Sequence, residues 1–199
     1  MDATTGLIIF IFDASIFSGF GNQGYTPPPT SSTPSSVIYT QAATLEPDAN
    51  FSSSAGPNTR VSIEKFILGY RSAELAATVA ESIMRHAQTY DINPKLITAL
   101  IARESKFNPR ALSSSGAAGL GQLLPSTAKG LGVDDAYDPE QNVKGTVRYF
   151  KSLLVRFSGK VASAIAASLE GPNAVMRNGG FTEATKTYVD DILTIYQKI

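Results

Sequence analysis

Apolar residues recur at three- and four-residue steps from Arg60 to the end of the chain, with no sustained alternation of apolar and polar positions. That period is helical, not extended. Ser72 can cap a helix over about 73–89, whose Leu75, Val79, Ile83 and Ala87 share one face. Asn93-Pro94 opens a second helix, with proline at its first position and Leu96, Ile97, Leu100 and Ile101 along its stripe. Pro125 to Lys129 starts a third. Asp138-Pro139 begins the next, which runs through Val143, Val147, Phe150, Leu153 and Leu154. An alanine-rich helix covers Val161 to Leu169, and a last one runs from about Thr182 to Lys198 with Tyr188, Ile192 and Ile195 facing inward. The pattern predicts an all-α domain of six to seven short helices.

The residues before Arg60 follow a different rule. Gly6-Leu-Ile-Ile-Phe-Ile-Phe12 and Ala14-Ser-Ile-Phe-Ser-Gly-Phe20 are apolar but interrupted by Asp13. The run lacks a basic flank and falls short of the ~20 residues that cross a bilayer. Residues 1–20 read either as an export or anchoring segment or as a β-prone segment that packs on the rest of the chain or on a partner chain. Residues 21–59 contain Thr26-Pro-Pro-Pro-Thr-Ser-Ser-Thr-Pro-Ser-Ser36 and Phe51-Ser-Ser-Ser-Ala-Gly-Pro57, and read as a disordered tether. Such a composition buries too little apolar surface to offset its chain entropy. Val37-Ile-Tyr39 is a candidate ordered island. The folded domain is expected over 60–199, with its core at 90–199.

Composition narrows the chemistry. There is no cysteine, which excludes disulfides, thiolate catalysis and cysteine-ligated zinc. The single histidine, His86, lies on a helix and is given no role. Neither a metal nor a cofactor is expected. All 17 basic residues fall in 60–199 together with 13 of the 17 acids, an excess of four positive charges. A mild excess suits an anionic polymer and is too small for a nucleic-acid binder.

The candidate chemistry centres on Glu104. It lies seven residues after Ile97, four after Leu100 and three after Ile101, hence on the apolar stripe of its helix. It also sits at the helix C-terminus, the unfavourable end of the macrodipole for a negative charge. Both effects favour the neutral acid, the form that acid-catalysed glycosidic cleavage requires. The competing reading pairs Glu104 with Arg103, Lys106 or Arg110. Downstream, Gly116, Gly119 and Gly121 let backbone approach a ligand closely. Gln122 carries a donor and an acceptor that match sugar hydroxyls and acetamides.

From Tyr90 to Ile199 the chain resembles the catalytic domain of the soluble lytic transglycosylases, a goose-type branch of the lysozyme-like fold. The matching residues are Glu104-Ser105-Lys-Phe-Asn-Pro109, Ala111-Leu-Ser113, Gly116-Ala-Ala-Gly-Leu-Gly-Gln-Leu-Leu-Pro-Ser-Thr-Ala128 and Asp138-Pro-Glu-Gln-Asn-Val143. Gly145, Tyr149-Phe150, Leu153-Leu154, Gly171-Pro172, Gly179-Gly180 and Tyr188-Val189 follow. The resemblance implies that Glu104 protonates the bond between N-acetylmuramic acid and N-acetylglucosamine, then deprotonates the C6 hydroxyl that closes onto C1. The product is a 1,6-anhydromuramyl end. Ser105, Gly119, Leu120, Gly121, Gln122 and Glu170 form the expected substrate-binding set. Ser105 would steer the acetamide, unless its hydroxyl bonds its own helix. Asn142 is expected to cap or bridge helices, a structural role.

The chain departs from the family at several positions. Ser168 and Leu169 stand where the family has Tyr and Asn, Gly121 where it has Met, and Ala184 where it has Glu. The missing Tyr is expected to remove a hydrogen bond that orients the acid, at a cost of about 1–3 kcal/mol, or ~10- to 100-fold in rate. Glu170 is either a solvated loop acid or a second carboxylate of the groove.

Three functions are thereby in play: a peptidoglycan lyase, a lysozyme-like module that grips glycan without turnover, and a muramidase that uses water. The expected partner is the peptidoglycan strand. The expected place is the cell envelope, periplasmic or extracellular, or a virion. The N-terminal run would contact a membrane, secretion or virion component.

Overall fold

The structure, a computed structural model, describes residues 57–178 and 180–199. The apolar run at 1–20, residues 21–56 of the tether expected over 21–59, and the Val37-Ile-Tyr39 island lie outside the described residues. The described part is helical: α1 (Pro57–Leu68), α2 (Ala73–Thr89), α3 (Pro94–Ser105), α4 (Pro125–Gly130), α5 (Pro139–Arg156), α6 (Val161–Glu170), α7 (Pro172–Asn178) and α8 (Glu183–Gln197). Pairing of extended type among the described residues is limited to isolated bridges of Ala118 with Leu112 and Leu123.

Local chemistry sets the helix starts. Proline fills the first position of α1, α3, α4, α5 and α7, where its missing N–H costs nothing. Side-chain oxygens of Ser72, Asn93, Asp138 and Thr182 accept from the backbone N–H groups of Leu75, Lys95, Gln141 and Thr185. Each removes an orphan donor of the first turn. Two helices go beyond the expectation from periodicity. α1 starts at Pro57, within the stretch that composition marks as tether, and α7 is a short helix whose few residues give no clear period.

Helix α3 is the centre of the domain. Pro94 and every residue from Leu96 to Ala102 are buried, so its sequence stripe is part of a surface covered on all sides. Helices α1, α2 and α8 pack against it. Around this axis α2 packs on α5, α5 on α6, and α6 on both α7 and α8. The expected faces are the buried ones: Val79, Ile83 and Ala87 on α2, Val143, Val147, Phe150 and Leu153 on α5, and Tyr188 and Ile192 on α8. His86 bonds Glu140 on α5 at 2.6 Å, which makes it part of the α2–α5 seam. No single helix among the described residues is long and apolar enough to cross a bilayer.

Candidate functional site

The buried axis ends where the chemistry begins. Glu104 is the next-to-last residue of α3, half-buried at the point where the apolar helix meets the surface. Its carboxyl lies in a groove that opens to solvent and is walled mainly by apolar side chains. Leu100 lies one turn earlier on α3, Leu123 and Leu124 come from the loop before α4, and Tyr149 and Phe150 come from α5. Thr127, Thr146, Ser168, Gly121 and Gln122 complete the lining. Glu104 is the one carboxylate among the lining residues.

Burial dominates the acid's electrostatics. It pushes the Glu104 carboxyl up to about 7, against the opposing pull of a Tyr188 hydrogen bond and the nearby Arg103 charge. The Tyr188 hydroxyl, on α8, donates to Glu104 Oε1. Burial and the adjoining carboxyl push that phenol well above its ordinary range, so it remains a donor. With Oε1 engaged as an acceptor, the acidic proton belongs on Oε2.

The arginine next in sequence does not pair with this acid. Arg103 Nε lies 3.0 Å from Asp191 Oδ2, and its guanidinium carbon sits 5.4 Å from the centre of the Tyr188 ring. Among the described residues Glu104 makes no salt bridge. The competing reading of Glu104 as a paired helix-end charge therefore fails.

The bond that orients the acid comes from elsewhere than position 168. Ser168 stands where the family has a tyrosine, and its hydroxyl donates to the Ile165 carbonyl at 2.7 Å, so it gives no bond to the acid. The carboxyl is nonetheless oriented, because Tyr188 reaches it from a different helix. The signal lies in Thr185-Lys-Thr-Tyr188-Val189, where periodicity marks Tyr188 only as a core position. Ser168 is buried against Tyr188 and lines the groove beneath it.

The glycine-rich turn is built for packing. Gly119 has φ +77°, and a Cβ there would meet the Ala136 carbonyl at 2.0 Å and Asn142 Nδ2 at 2.3 Å. A Cβ on Gly121 would meet Thr146 Oγ1 at 1.9 Å. Helix α5 thus presses directly on the turn. Asn142, fully buried, bonds across that seam: its Nδ2 donates to Ala118 and Ala136 carbonyls at 3.1 and 2.8 Å, and its Oδ1 accepts from Gly121 N at 2.7 Å.

The predicted binding residues divide accordingly. Gly121 and Gln122 line the groove with Glu104. Gln122 holds φ +49°, and its Nε2 donates to the Gly119 and Ala111 carbonyls at 2.9 and 3.3 Å, which braces the turn. Gly119 and Leu120 lie behind the groove wall, and Leu120 has no exposed surface. Ser105 Oγ bonds the Ile101 carbonyl at 3.3 Å, one turn back on its own helix. Glu170 is held at the start of α8, where its Oε1 accepts from the hydroxyls of Thr185 and, at 3.4 Å, Thr182. Neither Ser105 nor Glu170 lines the groove. No cluster of three His, Asp or Glu side chains among the described residues is suited to hold a metal ion.

The chain immediately after Glu104 is unusual. Lys106 and Phe107 have φ of +50° and +58°, a left-handed pair that terminates α3. Holding a bulky residue in such a conformation costs about 1–3 kcal/mol. Phe107 has no exposed surface and packs against Phe66 and Tyr70, with ring centres 6.2 and 5.6 Å away.

The same chain can be set beside known proteins. A family model described as the transglycosylase SLT domain matches residues 81–190, more than half of the chain. A transglycosylase of Enterobacteria phage PRD1 is 37% identical over 113 residues, covering 57% of this chain and 41% of the relative. Membrane-bound lytic murein transglycosylase F of Serratia proteamaculans (strain 568) is 39% identical over 71 residues, 36% of this chain and 15% of that one. The chain thus spans less than half the length of these relatives. Among solved structures, an inactive mutant of lytic transglycosylase Slt from Pseudomonas aeruginosa aligns with a TM-score of 0.54 at 21% identity, covering 69% of this chain and 29% of that one. The 70 kDa soluble lytic transglycosylase of Escherichia coli aligns with a TM-score of 0.55 at 20% identity, over 71% and 28% respectively. The helical architecture is that of these enzymes, and with the family model matched across the groove and the helix that carries Glu104, the chain belongs to the transglycosylase SLT domain family.

Proposed function

We propose that this protein is a peptidoglycan lytic transglycosylase that cleaves the β-1,4 bond between N-acetylmuramic acid and N-acetylglucosamine. The observation that carries the reading is the state of Glu104: a carboxyl kept near neutral by burial, oriented by Tyr188, and unaccompanied by a second carboxylate in its groove.

The chemistry follows from that state. The Oε2 proton of Glu104 passes to the glycosidic oxygen as the bond to C1 breaks and the N-acetylglucosamine hydroxyl leaves. Glu104 is then a carboxylate in an apolar wall, where its charge is costly and its basicity correspondingly high. It takes the proton of the muramyl C6 hydroxyl as that oxygen bonds to C1. The acid is regenerated, no water is consumed, and the product carries a 1,6-anhydro ring. A two-carboxylate retaining mechanism needs a partner about 5–5.5 Å away, and Glu170, the candidate for it, is tied to Thr182 and Thr185 outside the groove lining. Gln122 offers its amide oxygen to a sugar donor, its nitrogen being engaged in the turn. Gly121, its N–H held by Asn142, keeps the wall open by lacking a side chain, and Ser105, outside the groove lining, serves the acetamide only by rotating its hydroxyl away from Ile101.

The relatives named as phage and membrane-bound enzymes support action at the bacterial envelope, from a virion or a membrane. Digestion of purified peptidoglycan with mass analysis of the products tests the proposal. Anhydromuramyl ends are expected from the wild type and none from Glu104→Gln. Reducing ends would assign a hydrolase, and absence of release would assign a glycan-binding module.

A further inference from the structure

We propose that Arg71 is a positioning residue for Glu104, acting from the turn between α1 and α2 through the Phe107 carbonyl. Arg71 Nε donates to that carbonyl at 3.1 Å. The acceptor belongs to the left-handed pair that ends α3, three residues beyond Glu104.

Left-handed backbone at two successive non-glycine residues persists only where the surroundings hold it. Here the hold comes from the N-terminal side of the domain. Ile63 and Ile67 anchor α1 in the core with no exposed surface. Phe66 and Tyr70 then form one face of the socket that receives Phe107. Arg71, half-buried, closes the socket with a charge-assisted bond to the backbone itself. The family model begins at residue 81, so α1, Tyr70 and Arg71 all precede the matched segment. The end of the acid's helix, Lys106 and Phe107, lies within the match, but the residues that brace it precede the matched segment.

The consequence concerns geometry at the acid. Glu104 sits in the last turn of α3, and its carboxyl must meet both Tyr188 and a substrate oxygen. A displacement of about 1 Å at a reacting group costs up to 100-fold in rate. The Arg71 bond sets how α3 ends, and hence where that carboxyl lies. This inference rests on the lyase reading of Glu104.

The test uses the full chain with Arg71→Met, which keeps the stem and removes the donor, and Arg71→Lys, which keeps a donor. Circular dichroism melts fix an assay temperature at which all variants are folded. The Met variant is expected to lose about ten- to a hundredfold in kcat with KM unchanged, and the Lys variant to recover most of that loss. The second readout is the carboxyl carbon-13 titration of Glu104. The groups facing this acid are Tyr188 from α8, Tyr149 from α5 and Arg103 on α3, and none is altered in the variants. In Arg71→Met the Glu104 midpoint is expected to move down toward the ordinary carboxylate range as water reaches the loosened helix end. A wild-type kcat in the Met variant, or coincident midpoints, overturns the assignment. A wild type that releases no fragments defeats the lyase reading alone, and the titration still decides the role of Arg71.

Discussion

Tyr188 and Glu104 are 84 residues apart in the chain, and the phenol of one donates to the carboxyl of the other across the α3–α8 interface. That bond favours the ionised acid, while the apolar wall favours the neutral one. Tyr188→Phe removes only the oxygen. It is expected to lower kcat by ~10- to 100-fold, the effect of about 1–3 kcal/mol lost from one orienting bond. KM should change little. Because the lost bond lowered the carboxyl's pKa, the basic limb of the pH profile should move to higher pH. Steady-state rates on purified glycan strands across pH check both.

The pH dependence of wild type follows from the acid alone. Glu104 must be protonated to start the reaction, so kcat/KM should fall above about pH 7. Stability carries the same signature. The folded carboxyl titrates near 7 and the unfolded one near the ordinary 4.5, so the folded state binds the proton more tightly. Stability is unaffected by this group below about 4.5, falls as pH rises between the two values, and stays lowered above 7. Glu104→Gln abolishes that loss. At pH 8 it should be more stable than wild type by roughly 3 kcal/mol, each tenfold difference in proton affinity being worth about 1.4 kcal/mol, with little difference at pH 4. Urea unfolding at the two pH values measures it.

Asp191 governs which way the neighbouring arginine exerts its charge. It holds Arg103 over the Tyr188 ring. In Asp191→Asn the guanidinium loses its counter-charge, and its pull on Glu104 strengthens. The Glu104 midpoint should move down, and activity should fade at a lower pH than in wild type. An unchanged pH profile would show that the arginine is held by the ring alone.

Asn142 supports the groove without lining it. Its buried amide bonds Ala118, Ala136 and Gly121 and receives a longer contact from Thr146 at 3.4 Å. Asn142→Ala orphans buried backbone groups and opens a void, so a loss of about 3 kcal/mol is expected, each orphaned group costing roughly 1–3 kcal/mol. A denaturant midpoint against wild type reads the effect. Activity of the remaining folded protein should also drop, because Gly121 is part of the groove wall.

Sequence alone determined what is local. Prolines at helix starts, caps at Ser72, Asn93, Asp138 and Thr182, and the four-residue apolar steps located most of the helices, because a helix reads its own neighbours within a few residues. The same period placed Glu104 on a buried stripe, and the Glu-Ser and glycine-rich motifs indicated the family. Tertiary structure decided what the acid meets there. Tyr188, not a residue at 168, gives the orienting bond; Asp191 draws Arg103 aside; Thr146 fills the space over Gly121; and Arg71 grips the end of the acid's helix. Each of these contacts joins residues far apart in the chain. Their partners are chosen by how helices stack in three dimensions, which no periodicity along one strand of sequence records.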